Sequence, residues 1–116
     1  MSDITLYHNP RCSKSRQTLQ LLQDNGQEPQ IRLYLENPPS RDELCTLLGQ
    51  LNIGPRELMR KGEQEYKDNS LGNAELSDAA LIDAMVQFPK LIERPIAILG
   101  DKAVIGRPPE NVLDLI

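Results

Sequence analysis

The run Ile4-Thr5-Leu6-Tyr7-His8-Asn9-Pro10-Arg11-Cys12-Ser13-Lys14-Ser15 decides how the rest of the chain is read. Ile4 to Tyr7 is β-branched, apolar and aromatic, the composition of a short strand. His8-Asn9-Pro10-Arg11 breaks it, because proline withholds a backbone donor and asparagine favours turns. From Cys12 to about Gln23 the spacing predicts a helix, with Thr18, Leu19 and Leu22 on one face and Lys14, Arg16, Gln17 and Gln20 mainly elsewhere. Asn25-Gly26 ends it, since glycine accepts a left-handed cap. Ile31-Arg32-Leu33-Tyr34-Leu35 then alternates with period two, a second strand. Strand, helix and strand in so short a span form a βαβ unit, so the two strands should run parallel.

The middle of the chain is helical. Ser40 and Glu43 have capping-box spacing, and Leu44, Leu47, Leu48 and Leu51 follow as one apolar face. Pro55 suits a first helical position, with Glu57, Leu58 and Met59 behind it and Gly62 as the stop. Glu63 to Gly72 is polar and reads as a loop or irregular turn. Ser77 opens another helix carrying Leu81, Ile82, Met85 and Val86, which Phe88-Pro89 ends.

The last part returns to period two. Pro95-Ile96-Ala97-Ile98-Leu99 and Lys102-Ala103-Val104-Ile105 flank Gly100-Asp101, the spacing of a two-residue hairpin. Ile98 should then lie roughly opposite Val104, and the chain from Pro109 to Ile116 reads as a final helix. The order βαβ, helices, ββα describes an α/β fold: a mixed four-stranded sheet with helices on both faces. This is the thioredoxin-like layout, with a helical insertion over about residues 40–90. At 116 residues one domain is the expectation.

Composition excludes several classes. The 13 Lys+Arg against 17 Asp+Glu leave a net charge of −4, which disfavours a nonspecific nucleic-acid binder. No apolar run approaches the roughly 20 residues that cross a bilayer, and Met1 to Tyr7 lacks a basic leader, so a cytoplasmic protein is expected. Two cysteines, Cys12 and Cys45, are too few for a disulfide scaffold or a zinc site, and His8 is the one histidine. Phosphate-binding and dinucleotide-binding glycine loops are missing, so neither a metal nor a bound cofactor is expected.

What remains is one thiol in an unusual place. Cys12 lies at a helix N-terminus, where unpaired N–H groups and the helix dipole favour an anion. His8, if protonated, and Arg11 and Lys14 add positive charge nearby, and Ser15 can donate its hydroxyl to the sulfur. Cysteines are often simply buried, but the flanks here are polar, cationic and turn-forming. Cys12-Ser13-Lys14-Ser15 is Cys-x-x-Ser, which cannot close a local disulfide, so another thiol must resolve any adduct. Cys45 could do so in principle, although its place beside Leu44 reads as core or half-buried. Thr18 stands where a tyrosine-phosphatase loop needs arginine.

Three arginines stand at element boundaries: Arg60, Arg94 and Arg107. A guanidinium is a planar fork that suits a tetrahedral oxyanion. One such arginine alone is commonly a solvated side chain. Arg94 and Arg107 gain weight because the hairpin returns them to the same edge, the one that holds the end of the first strand.

These residues resemble the glutaredoxin-coupled arsenate reductases. The likeness starts at Tyr7-His8-Asn9-Pro10-x-Cys12-x-x-Ser15-Arg16. It continues through Tyr34-Leu35-Glu36-x-Pro38-Pro39, Glu57-Leu58-Met59-Arg60-Lys61, Leu81-Ile82-Asp83, Leu91-Ile92-x-Arg94-Pro95-Ile96 and Arg107-Pro108. The resemblance implies a thioredoxin-like fold with a helical insertion. It implies Cys12 as nucleophile, Arg60, Arg94 and Arg107 as arsenate-binding residues, His8 as a group that helps activate the thiol, and Ser15 beside the thiolate. It also implies a cis bond before Pro95, glutathione as co-substrate, glutaredoxin as partner and arsenate as the small oxyanion substrate. Two other activities would use the same residues: a glutathione-dependent thiol transferase, or a reductase of another oxyanion or of a protein mixed disulfide. A non-enzymatic, RNA-polymerase-binding regulator shares the fold but usually carries Cys-x-x-Cys, where this chain has Ser15.

Overall fold

The computed structural model describes residues 3–116. It divides into two compact units: the chain up to Asn37 together with Arg94–Ile116, and Pro38–Glu93.

The first unit holds the sheet. Strands β1 (Thr5–Tyr7), β2 (Gln30–Arg32), β3 (Ile96–Leu99) and β4 (Lys102–Ile105) take the order β2-β1-β3-β4. β1 and β2 are parallel, as a βαβ crossover requires, and helix α1 (Ser13–Asp24) joins them. β3 lies antiparallel to β1 and to β4. This is the mixed α/β, thioredoxin-like sheet that the element order implies. Ile4, Leu6, Leu22, Ala97 and Val112 are buried together, with Leu19, Leu99 and Val104 packed around them. Period two on the strands and period 3.6 on α1 bring these residues to one layer.

Three details differ from the sequence reading. β2 stops at Arg32, although alternation continues to Leu35. The N–H groups of Glu36 and Asn37 both donate to Leu33 O, so the chain turns there, and Tyr34 is buried in a stack on Tyr7. The hairpin register is one residue from the expected one: Ile98 faces Ala103 and Ala97 faces Val104. A two-residue turn pairs Leu99 with Lys102, which sets every later rung. The final helix is a 3-10 helix, Pro109–Leu115, with i→i+3 bonds such as Asn111 N–H to Pro108 O. Gly100 has φ of 63°, as a primed hairpin turn demands.

The second unit is helical: α2 (Arg41–Leu51), α3 (Pro55–Leu58), α4 (Gln64–Asp68), α5 (Asp78–Gln87) and a 3-10 turn, Pro89–Leu91. Ser40 Oγ accepts from Glu43 N–H at 3.1 Å and Glu43 Oε1 accepts from Ser40 N–H at 3.0 Å, so the capping box is complete. Leu44, Leu47 and Leu48 of α2 are buried, as are Leu81, Ile82 and Met85 of α5. α3 ends at Leu58 rather than near Gly62. Met59 pairs with Ile92 in an antiparallel bridge, and Arg60 N–H donates to Leu91 O at 2.7 Å, which takes this backbone out of the helix. The polar stretch after it contains α4 rather than loop alone. Among the described residues no helix is long and apolar enough to cross a membrane.

Candidate active site

The first unit gathers five of the six singled-out residues. Cys12 is the N-cap of α1, with extended φ and ψ of −92° and 124°, and its carbonyl accepts the first helical bond from Arg16 N–H. The first N–H groups of any helix have no intrahelical acceptor, so they face outward from the cap beside the sulfur. The first turn holds no acidic residue. A carboxylate there would be the usual complement to the dipole, and its absence leaves the positive end of α1 uncompensated. Cys12 is 8% exposed, enough to be shielded from bulk water while still reachable.

The loop ahead of Cys12 is held by its own backbone and by α1. Cys12 N–H donates to Asn9 O at 3.0 Å, and Arg11 N–H donates to Asn9 Oδ1 at 3.0 Å. Asn9 N–H donates to Ser15 Oγ at 3.3 Å. Ser15 is fully buried, and by accepting from Asn9 its hydroxyl ties the loop to the helix while keeping its proton for another partner. Arg16 Nη1 donates to Pro10 O at 2.8 Å, closing the loop from outside. The sequence reading sets Arg16 mainly off the apolar face of α1 and gives it no role in the loop. The available signal was a cation in the first turn, where the dipole disfavours one.

His8 follows β1 directly, and its N–H donates to Arg32 O at 2.9 Å. The side chain is buried, and Nδ1 has no hydrogen-bond partner. Burial, helped by the Arg16 charge, pushes the imidazole below its ordinary 6.5. A lowered value favours the neutral form of the ring. The cations at this corner are arginines.

Arg107 brings the other side of the site. Its Nη2 lies 3.8 Å from Cys12 Sγ, and its Nε donates to Arg94 O at 2.8 Å. The hairpin register accounts for that contact: Ile96 faces Ile105, and Gly106 N–H donates to Pro95 O at 2.8 Å, so Arg94 and Arg107 are the next pair. The bonds Arg94-Pro95 and Arg107-Pro108 are both cis, the first as the resemblance implied and the second not anticipated.

Arg60 belongs to the second unit. There Nη1 pairs with Glu63 Oε2 at 3.0 Å and Nε approaches Glu93 Oε1 at 3.7 Å. Cys45 is exposed rather than core, because it sits one residue, about 100° of helix, past the buried Leu44. It lines a cavity of about 440 Å³ within the second unit, beside Leu48, Ile53, Pro55 and Ile82. Among the described residues no three His, Cys, Asp or Glu side chains group as metal ligands.

The family model described as ArsC family matches residues 7–115. The chain belongs to the ArsC family. Among its relatives, the uncharacterized protein YfgD of Escherichia coli (strain K12) is 54% identical over 114 residues, covering 97% of this chain and 96% of YfgD. The arsenate reductase of Haemophilus influenzae is 48% identical over 114 residues, covering 97% of this chain and 98% of its own. A solved structure, arsenate reductase from Vibrio cholerae, superposes with a TM-score of 0.95 at 50% identity, over 97% of each chain.

Proposed function

We propose that this chain reduces arsenate to arsenite, with Cys12 as nucleophile and with glutathione and glutaredoxin supplying the electrons. The observation that carries this reading is the 3.8 Å approach of Arg107 Nη2 to Cys12 Sγ at the N-terminus of α1. A nucleophile, a bidentate cation and free helix N–H groups in one corner suit a tetrahedral oxyanion about to be attacked. Relatives named arsenate reductase, 48% identical in the Haemophilus protein, support the choice of arsenate. The external thiols follow from Ser15, since Cys-x-x-Ser cannot close its own disulfide.

Arg94 and Arg107 bind the oxyanion, with Arg60 proposed as the third guanidinium. The Cys12 thiolate attacks arsenic, forming a sulfur–arsenic bond as one oxygen leaves as water. Glutathione displaces a second oxygen, also as water, and arsenic(V) then carries two sulfurs. The glutaredoxin thiolate attacks the glutathione sulfur. A disulfide forms, the glutathione–arsenic bond breaks, and the electron pair stays on arsenic, now arsenic(III). Water displaces arsenite from Cys12. A second glutathione regenerates glutaredoxin, so arsenate and two glutathiones give arsenite, glutathione disulfide and one water. His8, proposed as a group that helps activate the Cys12 thiol, and Ser15, proposed beside the thiolate, complete the catalytic set.

A coupled assay tests the whole reading: protein, glutathione, glutaredoxin and arsenate, with Cys12→Ser alongside. Arsenate-dependent glutathione oxidation that vanishes in the variant is expected. Wild-type turnover by Cys12→Ser would overturn the mechanism. Activity on a glutathione mixed disulfide with none on arsenate would replace it by the thiol-transferase activity.

A further inference from the structure

Gly106 is buried at the rung where the hairpin ends, next to Arg107 and hydrogen-bonded to Pro95, the neighbour of Arg94. A Cβ at this position would lie 2.8 Å from Thr18 Oγ1, 3.2 Å from Thr18 Cγ2 and 2.9 Å from Pro95 Cγ. None of these atoms can swing away cheaply. Thr18 is fully buried in the middle of α1 and has a single side-chain torsion, and Pro95 is a buried ring. α1 therefore descends onto the hairpin edge at the one residue that has no side chain. Thr18 Oγ1 is buried there with no hydrogen-bond partner, a costly state for a hydroxyl.

The two elements that touch at this point are the two that carry the chemistry. Cys12, Ser15, Thr18 and Leu22 form the buried stripe of α1, with the sulfur at its N-terminal end. Arg107 continues directly from Gly106 on the other side.

We infer that Gly106 is a positioning residue: its missing side chain lets α1 close on the hairpin edge and so sets the separation of the Arg107 guanidinium from the Cys12 sulfur. The inference rests on the nucleophile assigned to Cys12 above. It is tested by a readout that does not involve arsenate, so loss of arsenate turnover and loss of this inference are separate results.

The experiment uses Cys45→Ser protein, in which Cys12 is the one remaining thiol. The rate of alkylation by neutral iodoacetamide is followed against pH. Gly106→Ala should shift the profile to higher pH by roughly half a unit or more, because the cation's help to the thiolate falls with distance. Arg107→Leu should shift it at least as far. Gly106→Ala with Thr18→Ala should recover part of the shift, since two of the three clashing atoms are gone. Leu22→Val loosens the same helix away from this rung and should leave the profile in place. A wild-type profile in Gly106→Ala or in Arg107→Leu overturns the inference, as does an equal shift in Leu22→Val. Should Gly106→Ala fail to fold, Thr18→Ile, one carbon longer, presses on the same contact from the helix side. A smaller shift in the same direction supports the inference, and an unmoved profile overturns it.

Discussion

Cys12 and Arg107 face each other across 3.8 Å, and their substitutions should separate chemistry from binding. Arg107 is exposed, so Arg107→Ala should leave the fold intact. Losing a bidentate guanidinium contact should weaken arsenate binding by about 1.5–3 kcal/mol, on the order of 10–150-fold, by calorimetry on Cys12→Ser protein. His8 makes a prediction about stability. Its imidazole is held below 6.5 in the folded chain, while the unfolded chain takes up the proton near that value. The unfolded state then binds more protons, so stability present above pH 6.5 is lost as pH falls through the folded-state value. The urea midpoint should drop as pH falls below about 6.5, and His8→Asn should flatten that part of the curve. An equally steep drop in His8→Asn would place the cause elsewhere.

At the scale of elements, the features legible in sequence are those in which neighbouring residues satisfy one another. The Ser40 and Glu43 capping box is such a case, with both bonds made inside four residues. Ser40→Ala should cost about 1 kcal/mol by urea denaturation, while Thr46→Ala, exposed on the same helix, should cost much less. The features that escaped reading are those settled by distant partners. α3 stops at Leu58 because Met59 and Arg60 find backbone partners at Ile92 and Leu91, more than thirty residues on. β2 ends early because Tyr34 turns inward to stack on Tyr7, at 6.2 Å between ring centroids. Alternation of residue type at Ile31 to Leu35 carries no trace of that stack.

At the scale of the molecule, the sheet unit rests on one buried layer around Leu22, which is fully buried with Ile4, Leu6, Ala97 and Val112. Leu22→Ala should cost about 2–5 kcal/mol, read from the shift of the urea midpoint of the whole chain. A cost below 1 kcal/mol would mean that the layer collapses around the cavity.

The sequence by itself determined the four strands and the helices α1, α2 and α5 in their order, the parallel βαβ pairing, the hairpin that returns Arg94 to Arg107, and the placing of Cys12 at the head of a helix. Each follows from periodicity, turn chemistry and caps, which act over a few residues. Only the tertiary structure decided that His8 Nδ1 is buried without a hydrogen-bond partner, that Arg60 sits between Glu63 and Glu93, and that α1 approaches the hairpin until Gly106 has no room for a Cβ. Those are matters of desolvation, pairing and close approach between segments far apart in the chain. They arise only when packing has set the distances over which charge and van der Waals contact act.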